Sequence, residues 1–383
     1  MRKAFLTATC LLALLTVCEL SIAQPNTAGQ NGTKTITTAV PFLLVAPDSR
    51  SGGMGEAGVA IADDANAMHW NAAALAFTDS RMGFSMSYSP WLRALGIPDI
   101  NLMYLSGYFN LGEKAGVIGT SLRYFSLGQI DFTDGLGQPI GSDKPNEFAW
   151  DIGYALKVTP DLSASISLRY IYSRLASNVG IGDAIRPVNS IAGDIAFLYR
   201  KDFSISGSGN SLPTTFRAGI NISNIGPKVS YTSATSEKDF IPVNLRIGYA
   251  FIFHVDEYNS VTFTNDFNKL LVPSEGGRSE KALLEGMFGS FSDAEGGFSE
   301  ELSEFNISAG FEYWYRELFS ARAGVFYEDP QKGNRKFINL GAGIKYNVFG
   351  LHFSYLAPLQ QNHPLQNTLR FTLTYDFESV GNN

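Results

Sequence analysis

The chain has 383 residues, with 36 acidic side chains against 29 basic ones and a formal net charge of -7. That balance argues against nucleic acid as a partner. Both cysteines, Cys10 and Cys18, fall near the start, so the chain beyond them has no thiol for a disulfide, a zinc-thiolate centre or a cysteine nucleophile.

Arg2 and Lys3 precede an apolar run, Ala4 to Val17, and Ser21-Ile22-Ala23 offers a small-x-small cleavage site before Gln24. Residues 1–23 therefore read as an export signal, too short to span a bilayer as a helix. Leu15-Thr16-Val17-Cys18 is similar to a lipoprotein cleavage box, but Val17 is large where a small residue is needed. No later stretch of 18 apolar residues exists, so no helical span is predicted. Residues 24–39 are polar and are expected to form a flexible periplasmic tail.

Residues 40–78 differ from everything after them. They are rich in Gly and Ala, and they suit a compact hatch lodged inside a larger structure, where small residues let backbones approach. The signature positions are Pro47, Asp48, Arg50, Gly52, Gly53, Met54, Gly55, Asp64, Asn66, His69, Trp70 and Asn71. Gly52-Gly53-Met54-Gly55 is not a phosphate loop, because no Lys-Ser/Thr follows it. His69-Trp70-Asn71 reads as a polar anchor to a surrounding wall in preference to a ligand site.

From Met82 to Phe377 one pattern recurs. Phe84, Met86 and Tyr88 alternate with Ser85 and Ser87; Trp150, Ile152 and Tyr154 alternate with Asp151 and Gly153. Side chains two apart share a strand face, so each run has one greasy face and one small or polar face. About fourteen such runs occur, each near the 9–11 residues a tilted strand needs to cross a bilayer. Short turns such as Leu111-Gly112-Glu113-Lys114 and Arg316-Glu317 alternate with longer stretches, of which 269–304 is the longest; 200–214 fits this alternation poorly. The prediction is an all-β protein, a transmembrane antiparallel barrel over 79–377 with a tail at 378–383. Both termini are expected on the short-turn, periplasmic side. A propeller would repeat every 40–50 residues, and a sandwich core would not tolerate Arg123, Asp151, Arg169, Asp194, Arg246 and Arg370 on its second face.

The loops carry apolar residues suited to protein contact. The candidates are Trp91, Leu92 and Leu95 in one loop, with Leu283, Leu284, Met287, Phe288 and Phe291 in the longest, where Lys281 to Phe288 could form a helical turn or two. His352 and Ser354 share a strand face, yet a catalytic set needs a third group beside them. No catalytic residue, metal site or cofactor is predicted.

Pro41-Phe42-Leu43, Pro47-Asp48-Ser49-Arg50, Gly52-Gly53-Met54-Gly55 and Asp64-Ala65-Asn66-Ala67-Met68-His69-Trp70-Asn71 resemble the N-terminal signature of the PorV family, within the wider FadL-like group of outer-membrane barrels. Glu312-Tyr313-Trp314-Tyr315 and Arg322 through Glu328 are similar to that family too. Asn71-Ala72-Ala73 departs from the group's Asn-Pro-Ala. The resemblance implies a fourteen-stranded barrel with an N-terminal hatch and a non-enzymatic role in type IX protein secretion. Its partners would be a very large translocon barrel, cargo bearing a C-terminal signal domain, a surface attachment complex, and outer-membrane lipid or lipopolysaccharide. A FadL-like channel for hydrophobic small molecules is the second reading, and an envelope lipid deacylase the third.

Overall fold

A computed structural model describes residues 34–93, 96–97, 99–176, 185–207, 210–232, 238–276, 279–360 and 363–377. The expected export signal, the tail up to residue 33, Leu95 and the tail at 378–383 lie outside the described residues.

Fourteen antiparallel strands close into a barrel. They are β1 (Met82–Pro90), β2 (Ile100–Asn110), β3 (Val117–Leu127), β6 (Asn146–Lys157), β7 (Leu162–Arg174), β8 (Val188–Gly207) and β9 (Asn210–Ile225), then β10 (Asn244–His254), β11 (Asn259–Leu270), β12 (Asn306–Tyr315), β13 (Phe319–Tyr327), β14 (Lys336–Tyr346), β15 (Phe349–Pro358) and β16 (Thr368–Phe377). The remaining two strands, β4 (Ile130–Thr133) and β5 (Pro139–Asp143), form a separate hairpin in the loop after β3. Closure pairs β1 with β16, from Met82 opposite Phe377 to Tyr88 opposite Phe371. In lipid no strand edge can stay unpaired, so the sheet must return on itself.

The alternation read from the sequence sets which face points where. Ser85, Ser87 and Ser89 are buried toward the lumen while Phe84, Met86 and Tyr88 stand exposed on the outer face. Ile166, Leu168, Leu340 and Leu351 are likewise exposed. The greasy face is thus the outer one, as a bilayer requires.

Two stretches differ from the sequence reading. Residues 200–214 are not an irregular connection. Here β8 and β9 continue as a ladder to Gly207 opposite Asn210, and Lys201 to Ser206 are exposed. Backbone pairing satisfies this stretch without lumen or lipid. Its base is fixed by Lys201 Nζ to Asp161 at 2.5 Å.

The second difference concerns residues 34–39, expected in a periplasmic tail. Lys34 N–H donates to the Gln331 carbonyl at 2.9 Å, and Ala39 N–H donates to the Phe240 carbonyl at 2.9 Å. Gln331 and Phe240 belong to the connections β13–β14 and β9–β10, both at the long-loop end. Met82 and Phe377 lie at the other end, beside the short turns. Fourteen passes return the barrel to its starting end; the segment before β1 makes one further pass through the lumen. Lys34, where the described residues begin, and the end of β16 therefore sit at opposite ends of the barrel, while both termini lie outside the described residues.

Candidate functional site

Residues 40–78 fold as short helical turns, at Pro41–Leu44, Ser49–Gly53, Ala67–Trp70 and Ala72–Phe77. None is long enough to be stable alone in water. Their stability comes from the wall, and most signature residues are bonded to it, packed against it or cap a turn facing it.

Asp48 caps the turn Ser49–Gly53, one carboxylate oxygen accepting from Ser51 N–H at 2.8 Å and the other from Trp70 Nε1 at 2.6 Å. Two strings 22 residues apart are thereby tied together, with Pro47 buried just before the cap. Arg50 reaches the wall: its Nε and Nη2 donate to Glu312 at 3.1 and 2.9 Å, and it pairs also with Asp63. Glu312, on β12, is fully buried and accepts as well from Arg322 Nε of β13 at 2.5 Å. Arg370 of β16 pairs with Glu56 at 2.5 Å.

Asp64 accepts from Asn66 N–H at 2.8 Å, and Asn66 in turn accepts from Ser85 Oγ of β1 at 2.9 Å. His69 Nδ1 accepts from Arg123 of β3 at 2.6 Å, and the same Arg123 donates to the Phe42 and Leu43 carbonyls at 2.9 and 2.6 Å. The Arg246 guanidinium lies 4.8 Å from the Trp70 ring centroid, within cation–π range. The Trp70 carbonyl accepts from Asn221 of β9 at 2.8 Å. Asn71 caps the last turn through Ala73 N–H at 3.1 Å and donates to the Phe197 carbonyl of β8 at 3.0 Å. Asp266 of β11 accepts from Gly58 and Val59 N–H at 2.7 and 2.9 Å. These partners come from strands all around the ring, which places the segment inside it. Sequence reading marked Arg123, Arg246 and Arg370 as inward charges but missed Glu312, Arg322 and Asp266. Their inward parity was the available signal.

The glycine run meets glycines of the wall. Gly55 has φ +74°, and a Cβ there would lie 2.4 Å from the Val325 carbonyl oxygen. A Cβ at Gly324 would lie 2.1 Å from Gly55 N. Gly52 and Gly53 pack less tightly, Gly52 against the Arg370 and Ser354 side chains while its carbonyl accepts from Asn339 of β14 at 2.5 Å, and Gly53 against Gly341. Met54 is fully buried over Gly310. At Gly55 and Gly324 backbone lies on backbone, so no side chain can yield there. Gly324→Val is expected to displace the segment and lower thermal stability by several kcal/mol, as overpacking against fixed backbone does (~1–3 kcal/mol or more). Gly135→Ala, with nothing within 4 Å of its added Cβ, is the neutral control. Equal unfolding temperatures for the two would remove the close approach.

The long-loop mouth is built differently. Between β11 and β12 the chain forms helical turns at Leu283–Gly289 and Phe298–Ser303. Met287 is buried with Val243, Leu245 and Leu271, and Leu283 packs against the same cluster. Leu284, Phe288 and Phe291 are exposed at 60, 72 and 46%. Trp91 and Leu92 are half-buried and pack over the cluster that holds Phe42 and Leu43. Of the loop candidates within the described residues, Leu284, Phe288 and Phe291 face outward, while Met287, Leu283, Trp91 and Leu92 take part in packing. Lys269 is paired with Glu301 at 3.0 Å and with Glu304. Lys332 joins Glu300 and Glu304 at 2.8 and 2.9 Å. Hydrogen bonds from Lys332 and then Lys34 hold the Glu300 carboxyl down to about 2, so this clasp stays charged at neutral pH.

His352 lies 3.3 Å from Arg322, and no hydrogen bond joins it to Ser354. Among the described residues no group of three His, Cys, Asp or Glu is placed to hold a metal.

A closed fourteen-stranded barrel with a greasy exterior and a polar inner face defines an outer-membrane β-barrel. Over residues 27–276, well over half its length, the sequence matches the family described as Type IX secretion system protein PorV. The chain belongs to that family and to the outer membrane.

The fold is also that of solved FadL-type barrels. The Pseudomonas putida toluene transporter TodX aligns with TM-score 0.51 and 11% identity, covering 90% of this chain and 100% of its own. The CymD monoaromatic hydrocarbon channel aligns with TM-score 0.47 and 14% identity, over 88% and 99%. The Ralstonia pickettii toluene transporter TbuX gives 0.45 and 11%, over 86% and 98%. No curated protein matches the sequence.

Proposed function

We propose that this barrel is a non-enzymatic carrier of type IX secretion. It associates with the very large translocon barrel, receives cargo by the cargo's C-terminal signal domain, and hands it to the surface attachment complex. Membership of the PorV family carries this reading. In it the long loops face outward and the short turns face the periplasm. Three features suit the task. The greasy outer face keeps the protein among outer-membrane lipid and lipopolysaccharide. The segment 40–78 acts as a plug, so that the barrel does not leak. The exposed Leu284, Phe288 and Phe291 give partners an apolar surface of the kind that protein interfaces bury.

Purification in mild detergent tests it. The expected result is co-purification with type IX secretion components and cargo. An isolated barrel carrying a hydrophobic small molecule would instead favour the channel reading. One feature speaks for that alternative: the β8–β9 register shifts between Gly193 and Ile195, which leaves an irregularity in the wall beside Asn224. Uptake of a hydrophobic ligand into liposomes bearing the protein distinguishes the two.

A further inference from the structure

We infer that residues Lys34 to Thr37 form a strap displayed on the outer surface of the cell, as part of the same face as the loop between β11 and β12. The inference rests on the orientation proposed above and goes beyond it, because an N-terminal hatch alone does not say from which side it is entered.

The argument is one of connectivity. The barrel strands number fourteen, and an even number returns Phe377 to the end where Met82 begins. Going backward from Met82, Arg81 is still at that end, its carbonyl accepting from Asn110 N–H at 2.8 Å beside the β2–β3 turn. The segment then climbs the lumen. Asp63 pairs with Arg217 of β9, Gly52 meets Asn339 of β14, and Phe42 and Leu43 meet Arg123 of β3. Val40 and Phe42 pack with Ile100, Phe125 and Val188, all at or near the long-loop ends of their strands. At Lys34 the chain has reached the rim. Its N–H is held by Gln331 and its ammonium by Glu300 at 2.8 Å and Glu295 at 3.3 Å. Lys34, Thr35 and Thr37 are exposed there.

The strap also fastens the loop. Glu300 lies in the turn Phe298–Ser303, which displays Phe298 at 78% and Leu302 at 54% exposure. Lys34 and Lys332 grip that turn from two sides through Glu300. The strap residues roof a cavity of about 440 Å³ reached by Trp70, Arg246 and Arg335. A protein that docks on the apolar turn therefore meets the strap beside it.

Cysteine labelling in intact cells tests this, because both cysteines of the chain precede the expected cleavage site. Thr35→Cys, Leu136→Cys in the exposed β4–β5 hairpin loop, and Glu113→Cys in the β2–β3 turn are each exported and treated with a maleimide too bulky to cross the outer membrane. The unsubstituted chain is the blank. Thr35→Cys is expected to label in intact cells as Leu136→Cys does, while Glu113→Cys labels only after permeabilisation. Labelling of Thr35→Cys with the pattern of Glu113→Cys, or no labelling of it even after permeabilisation, overturns the inference. If Leu136→Cys and Glu113→Cys exchange patterns, the proposed orientation fails. The strap's place at the long-loop end then stands only if Thr35→Cys still follows Leu136→Cys.

Discussion

Glu312→Ala is expected to cost about 3–5 kcal/mol and to open a conducting path through the barrel. Glu312 is the single acid between two arginines. It accepts from Arg50 at 3.1 and 2.9 Å and from Arg322 at 2.5 Å, and both its side chain and that of Arg322 are fully buried. Removing it leaves two guanidinium groups facing each other with their shared counter-charge gone. Arg50 keeps Asp63, which is itself partly open to the lumen mouth, but Arg322 loses its ion-pair partner and is left beside the ring of Trp314 at 5.3 Å and His352 at 3.3 Å. The cheapest escape is for Arg50 to leave the wall, and the turn that carries it moves too. Arg50→Ala should be milder, because it leaves Glu312 and Arg322 as a matched pair. Single-barrel conductance in planar bilayers and urea unfolding of the detergent-solubilised protein check the order. A Glu312→Ala barrel that stays as closed and as stable as Arg50→Ala would show that the triad does not hold the segment.

The barrel itself was legible because lipid imposes a rule on every strand. Any position facing lipid must be apolar, and the pleat makes those positions alternate, so all fourteen spanning runs are visible one at a time. The runs named from the sequence fall within observed strands, Phe84 to Tyr88 in β1 and Trp150 to Tyr154 in β6. The Gly- and Ala-rich composition of segment 40–78 was legible. Its partners were not, since Glu312 is 262 residues from Arg50 and Asp266 is 208 from Gly58. Such pairs depend on the register of the closed sheet, and no local pattern encodes that. The β4–β5 hairpin and the β8–β9 extension were missed because they lie beyond the bilayer, where alternation is no longer required. The direction of the lumenal pass was hidden for a related reason. A polar tail reads alike at either end, and its distant partners, Gln331, Phe240 and Glu300 among them, decide which rim it reaches.

The second large effect is expected at the exposed face of the long loop. Leu284→Asp combined with Phe288→Asp should lower co-purification with secretion partners at least tenfold while leaving the barrel's unfolding unchanged. The two side chains are four residues apart on one helical turn and are exposed at 60 and 72%, so they share a face that lies mostly open to solvent. Their cost to folding is therefore small, and exposed apolar residues of this size contribute to stability only if a partner covers them. Interface anchors of this kind are typically worth about 2 kcal/mol or more, roughly thirtyfold in affinity. Met287→Asp provides the contrast. Met287 is buried against Val243, Leu245 and Leu271, and a carboxylate there would be desolvated, so this variant should loosen the loop and lose partners through misfolding. Proteolytic sensitivity of the loop separates the two causes: it should rise for Met287→Asp and stay unchanged for the double variant. A double variant that retains full partner recovery would mean that the docking surface lies elsewhere on the rim.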